Sequence, residues 1–338
     1  MSQFKINSIT DKTGTSGPVI SGVSTNNSTG CMIIPAGPTE HRGGRGRMVT
    51  YGGADGSVYV NGMNTMDIAT TGSAVDFGNS SKLSGFSSGM GSPTRGVFKQ
   101  GRGAPSYTDT IEFVTFSSLG GVADFGIDRG SSQDSSASSS NGIRGIFGNG
   151  TSYDTKIQFI TLASTGDSNE FGTLSSGRYQ GGGSGGASPT RGFFFGGLVS
   201  GQPAGTKIIE SVSFTSGGAA TKFGELTVGR RAIAAVTNAT RAVACSGDSP
   251  ATNTMDYITM ASEGNATDFG DITRQPAGYG AGGSNATRGL ITGCSPDSKN
   301  SIDYITFSTT GNATDFGDTT YDSYLNGACS DSHGGLGE

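Results

Sequence analysis

Arginine and carboxylate recur in this chain at two fixed positions, and that pairing is its most chemically capable feature. Arg47, Arg95, Arg144, Arg191, Arg241 and Arg288 lead successive units, and Asp76, Asp124, Glu170, Lys222, Asp268 and Asp315 hold a second position within them. A guanidinium presents donors in a rigid planar fork, which carboxylates or paired carbonyl oxygens can accept. The spacing predicts one ion pair or hydrogen-bonded contact per unit, with Arg reaching turn carbonyls or a neighbouring unit's carboxylate. Lys222 breaks the series, so its unit is expected to pair differently. Six copies point to a structural task, because an active site needs unlike groups converging at one place.

The remaining inventory is thin. The two histidines, His41 and His333, lie near no Cys or Ser motif, and no strand-turn-helix context surrounds a Gly-x-Ser-x-Gly elbow. Gly181–Gly186 matches Gly-x-Gly-x-x-Gly, but no helix pattern follows it and no acidic residue sits on a second strand as a dinucleotide site requires. Asp-rich turns such as Asp315–Asp318 lack the dense alternating carboxylates of a calcium loop. The expectation is a non-enzymatic protein with no catalytic residue, cofactor or metal. Tyr51, Tyr59, Tyr107, Tyr153, Tyr179 and Tyr279 could stack on sugars, although core or rim placement is the favoured reading.

The elements that position the arginines repeat with them. Phe-Gly recurs with Phe77, Phe125, Phe171, Phe223, Phe269 and Phe316, at intervals of 46 to 52 residues, and fourteen residues before each Phe stands Met63, Ile111, Ile157, Ile209, Met255 or Ile302. A fixed period in this range is the mark of a repeat architecture. Each unit reads as four short strands: a small-residue strand, an Arg-led strand, an alternating Ile-Asp-Tyr-Ile-Thr strand and an Asp-Phe-Gly strand. Gly, Asn, Asp and Ser separate them, and Asn-Ala-Thr stands at Asn238, Asn265, Asn285 and Asn312 where a hairpin must reverse. A four-stranded meander cannot bury both faces alone, and radial stacking does so.

The fold expected is therefore all-β, a six-bladed β-propeller of four-stranded antiparallel blades over residues 45–338. Only the last small-residue strand, Tyr324–Ser330, has no Arg-led strand after it, so it should lie beside Arg47–Tyr51 and close the ring with the C-terminus. Residues 1–44 stand outside the repeat and read as an extended N-terminal arm with strand-like runs at Phe4–Thr10 and Cys31–Pro35.

Composition agrees. Glycine makes up 60 of 338 residues, charged residues only 14 %, and the net charge is −5. The basic residues are spread through the units, so the electrostatic footprint of nucleic-acid binding is missing. No stretch reaches membrane-span length, and Met1–Thr10 has no apolar signal core. Cys31, Cys245, Cys294 and Cys329 include no Cys-x-x-Cys pair and are expected to be reduced thiols.

Two resemblances follow from these residues. The strand order, with Arg191–Gly197 and Arg47–Gly53 ending in Gly-Gly, resembles the kelch repeat, with Phe of Phe-Gly where kelch units usually carry Trp. The run Ile6–Thr15, then Pro35–Thr39 and Gly43–Arg47, together with the repeat at Ile302–Asp318, resembles virion proteins of marine tailed bacteriophages. That second resemblance implies a structural protein of the virion, in multiple copies, docked on capsid, tail or fibre partners through residues 1–44. Its propeller would face outward toward a host-surface glycan or protein. The alternative is a cellular kelch-type protein-interaction module.

Overall fold

The structure is a computed structural model and describes residues 24–26, 31–33, 46–103, 107–130, 136–148, 150, 153–179, 185–274, 278–294 and 300–332. The chain divides into two compact units, Met1–His41 and Arg42–Glu338. In the first, Ser24–Asn26 pairs antiparallel with Cys31–Ile33. The strand expected at Phe4–Thr10 and the segments of the arm that carry the virion resemblance lie outside the described residues.

The second unit is a six-bladed β-propeller, and no helix occurs among the described residues. Blade 2 shows the plan, with inner strand Ser88–Gly91, second strand Arg95–Lys99, third strand Thr110–Thr115 and outer strand Ala123–Ile127, all antiparallel. Blades 3 to 6 repeat it over 137–173, 186–225, 234–271 and 281–318. Blade 1 is composite. Its second, third and outer strands are Arg47–Asp55, Val58–Asp67 and Val75–Asn79, and its inner strand, Gly327–Ser330, comes from the far end of the chain. The expected closure is thus observed. Asp331 completes it, accepting from Arg47 N–H at 2.7 Å and donating to Arg47 C=O at 3.0 Å. Asn285 makes the same two bonds to Arg288, at 2.7 and 2.9 Å, inside one continuous hairpin.

The apolar residues fall into six clusters, each at one junction between consecutive blades. Phe223, for example, packs with Phe193 and Ile209 of its own blade against Ala235 and Ile258 of the next. The Phe-Gly pair makes this possible as a β-bulge. Met63 faces Gly78 while Asn64 faces Asp76, so Phe77 is the extra residue, and the same shift occurs in all six blades. A bulge re-aims one side chain and sharpens the local twist.

The glycine answers a second demand. A Cβ on Gly78, Gly126, Gly224 or Gly270 would collide with the backbone of a hairpin glycine in the following blade. That hairpin glycine donates to the Phe carbonyl, as in Gly120 to Phe77 at 2.8 Å and Gly311 to Phe269 at 2.7 Å. The outer edge of each sheet is therefore occupied by its neighbour, which removes a template for aggregation. In blade 3 the contact is regular enough to add a short parallel strand, Gly218–Ala219.

Antiparallel order puts the tight inner-to-second and third-to-outer hairpins on one face of the ring, here the hairpin face. The second-to-third loops and the connectors that return from outer strand to inner strand share the opposite, connector face.

Candidate functional site

The leading arginines all sit on the hairpin face. Five of the six reach a third-to-outer turn of the following blade: Arg47 to Phe116 C=O, Arg95 to Ala163 at 2.9 Å, Arg144 to Phe214 at 2.6 Å, Arg241 to Phe307 at 2.7 Å and Arg288 to Ala69 at 2.9 Å. Arg191 shows no such bond among the described residues. Four guanidinium groups also lie over an aromatic ring one diagonal step across their own sheet, Phe113, Phe159, Tyr257 or Tyr304, at 4.7 to 5.4 Å. Blades 1 and 4 carry Thr65 and Ser211 there and have no ring to offer. The acids before Phe do not meet these arginines among the described ion pairs. Asp76 and Asp268 instead cap their own bulges, accepting from Gly78 and Gly270 N–H at 3.2 Å. Lys222 does pair differently, with Glu225 at 2.6 Å on the surface.

The four Asn-Ala-Thr turns split into two jobs. Asn238 and Asn285 cap the hairpins that precede Arg241 and Arg288, at 2.8 and 2.7 Å. Asn265 and Asn312 accept from Glu225 and Asp271 N–H of the preceding blade at 3.1 and 3.0 Å.

The connector face is built around residues that the sequence reading passed over. Asn64, Glu112, Gln158, Glu210, Asp256 and Asp303 occupy one position in the third strand, and all six are buried. A connector crosses each. Arg178, Arg230 and Arg274 meet Glu210, Asp256 and Asp303, and Thr320 N–H donates to Asn64 at 3.0 Å. Arg230 is the fullest hub, donating to Asp256 Oδ2 at 2.6 Å and to the carbonyls of Ser246, Val228 and Ala244. Burial lowers the pKa of the Arg178 guanidinium from its ordinary value, and the Glu210 carboxylate opposes the shift. Such pairs fix geometry more than they add net stability. The signal was legible: one strand position that is always polar, beside an apolar residue that never varies in kind.

Near the axis the connectors meet. In blades 2, 4 and 5 each pairs with its own blade's second-to-third loop, as short ribbons at Ser84–Gly85 and Arg178–Tyr179 and as a single bridge at Arg231, and in blade 1 Tyr324 bridges Ala54 near the end of the second strand. Four residues then turn left-handed before the inner strands, Phe86 (φ +56°), Ala232 (+55°), Tyr279 (+63°) and Leu325 (+62°). This break explains why the inner strands are shorter than the small-residue segments suggested. Bulky residues rarely adopt this region, and surrounding contacts must hold them there. Here those contacts run between blades: Tyr279 N–H to Ala232 C=O and Leu325 N–H to Tyr279 C=O, both 3.0 Å.

The side chains gather into one half-buried cluster. Tyr279 meets Phe86 and Tyr324 edge-to-face, with ring centroids 6.2 and 6.5 Å away. Its hydroxyl donates to Asp248 Oδ2 at 3.2 Å, and Arg231 reaches the same oxygen at 2.9 Å while lying 5.1 Å above the Tyr179 ring. Burial works to raise the Asp248 carboxyl, but the Arg231 bond and charge outweigh it and hold it below the usual range. Burial pushes the Tyr279 hydroxyl up. The inner strands leave an axial cavity of about 50 Å³, lined by residues such as Ser138, Gly283 and Ala328, which has room for a few waters.

Of the tyrosines considered earlier, Tyr179 and Tyr279 belong to this cluster. Tyr51 is buried, stacked on Phe98 and bonded to Glu112, and Tyr107 is exposed beside Arg102. Cys245, Cys294 and Cys329 are free thiols, and burial raises their pKa values. No protein-family model matches the chain, and no curated protein is significantly similar to it. What stands is a six-bladed β-propeller, whose role must be argued from its surfaces.

Proposed function

We propose that this protein is a non-enzymatic binding module that serves as a structural component of a tailed-bacteriophage virion. The observation that carries the binding reading is the unequal use of the two faces. Repeated clips occupy the hairpin face, while aromatic and charged departures from the repeat concentrate on the connector face. A rigid closed ring holding variable loops is a scaffold suited to recognition. The virion assignment rests on the resemblance of Ile6–Thr15, Pro35–Thr39, Gly43–Arg47 and the Ile302–Asp318 repeat to phage virion proteins. In this reading residues 1–44 dock on other virion proteins, many copies stand on each particle, and the propeller, kelch-like in strand order, faces the host.

Antibody against the chain is expected to label purified particles at regularly repeated positions. Absence of the chain from purified particles would sink the virion assignment. Recovery of a soluble cellular partner by the propeller lacking residues 1–44 would favour a cellular kelch-type module in its place.

A further inference from the structure

We infer that the aromatic cluster at the axis of the connector face is a saccharide-binding site for a neutral hexose polymer. The inference deepens the binding-module reading and rests on it, but not on the virion assignment.

Three features point to a ligand with alternating apolar faces and hydroxyls. First, the rings are fixed before any ligand arrives. Tyr279 is held by its left-handed backbone and by Asp248, and Tyr324 by a hydroxyl bond to Gly56 C=O at 2.8 Å. Immobilised aromatic panes bind with little further loss of rotamer freedom, and Tyr joins an apolar body to a polar tip. Second, a carboxylate and a guanidinium stand among those panes, Asp248 and Arg231, 29 % and 22 % exposed. Charged acceptors and donors give the stronger hydrogen bonds, here to vicinal hydroxyls. Their charges cancel, which favours a neutral sugar over an acidic one. Third, two of the rings, Phe86 and Tyr279, stand on left-handed backbones, a conformation that bulky residues keep only where surrounding contacts impose it.

A peptide fits this face less well. Strand addition needs an unpaired edge, and four connectors are already paired within their own blades.

The test is affinity electrophoresis of the full chain through gels containing dextran, glycogen, laminarin, yeast mannan or galactomannan. Retardation by at least one polymer is expected, with the apparent affinity reduced tenfold or more by Tyr324→Ala and by Asp248→Asn. Tyr279→Gly removes the ring while supplying the residue that best tolerates its φ, so its melting temperature should stay near wild type while retardation is lost. No retardation by any polymer, or retardation equal in wild type and all three variants, overturns the inference. Capture of a protein partner that all three substitutions weaken, without polymer retardation, would also overturn it and leave the binding-module reading standing.

Discussion

The two faces of the ring answer the same sequence repeat in opposite ways. On the hairpin face, Arg95, Arg144, Arg241 and Arg288 each repeat one contact, a carbonyl of the next blade beneath a guanidinium stacked on a ring. On the connector face the third-strand position changes from Asn64 to Glu112 to Asp303, and the connectors meet it with Thr320, Ser81 or an arginine. Closure explains the contrast. The hairpin turns must interlock blade with blade, so one geometry suits all six. The connectors need only cross from outer to inner strand, which leaves their length and chemistry free to vary.

Breaking the ring itself should have the largest effect. Truncation after Thr320 removes Gly327–Ser330 and Asp331, and is expected to unfold or oligomerise the protein. A monomer with an unchanged melting temperature would refute the closure. Next comes the connector face. Arg230→Ala should cost about 3–5 kcal/mol in denaturant unfolding, because it leaves Asp256 buried without its partner. A loss below about 1 kcal/mol would mean that water reaches Asp256.

Smaller effects separate the faces further. Gly270→Ala should cost about 1–3 kcal/mol through collision with Gly311 of the next blade. Removing one clip, Arg241→Ala, should cost about 1 kcal/mol, the scale of one net hydrogen bond. Arg191→Ala should cost less, since Arg191 has neither a ring nor a described carbonyl partner. Equal losses at both would erase the distinction drawn between blades. The smallest effect concerns acid. Because the folded Asp248 carboxyl lies below its ordinary value of 3.8, its contribution is complete above that value and disappears as pH falls through the depressed one. Partial exposure keeps it to a fraction of a kcal/mol, so Asp248→Asn should flatten the melting-temperature profile only in that acid window.

Much of this was legible in the chain. Period, blade count and C-terminal closure followed from Phe-Gly spacing and from the unmatched strand at Tyr324–Ser330. The Arg positions were legible as contacts, though not which partner they take. Carbonyls prevail over the acids because the hairpin of the next blade lies directly beneath the guanidinium. Two layers were missed. Burial of Glu210 and Asp256 depends on connectors that sit on top of a strand end, a relation with no local period. The cluster joins Phe86, Tyr279 and Tyr324 from three blades, and only the ring brings them together.

The clasp formed by Asp331 and Arg47 has a mechanical consequence. Chain entry and exit lie side by side at one end of an antiparallel pair, with Met48 opposite Ser330 and Tyr51 opposite Gly327. Tension between those two ends loads the Asp331–Arg47 bonds first and peels the strands apart pair by pair. Tension between residue 47 and Tyr324, which lies just before the inner strand on the connector face, runs along the strands and loads all four pairs at once. The ring should therefore yield readily to a pull at its two ends and resist one directed from its entry point to its aromatic face.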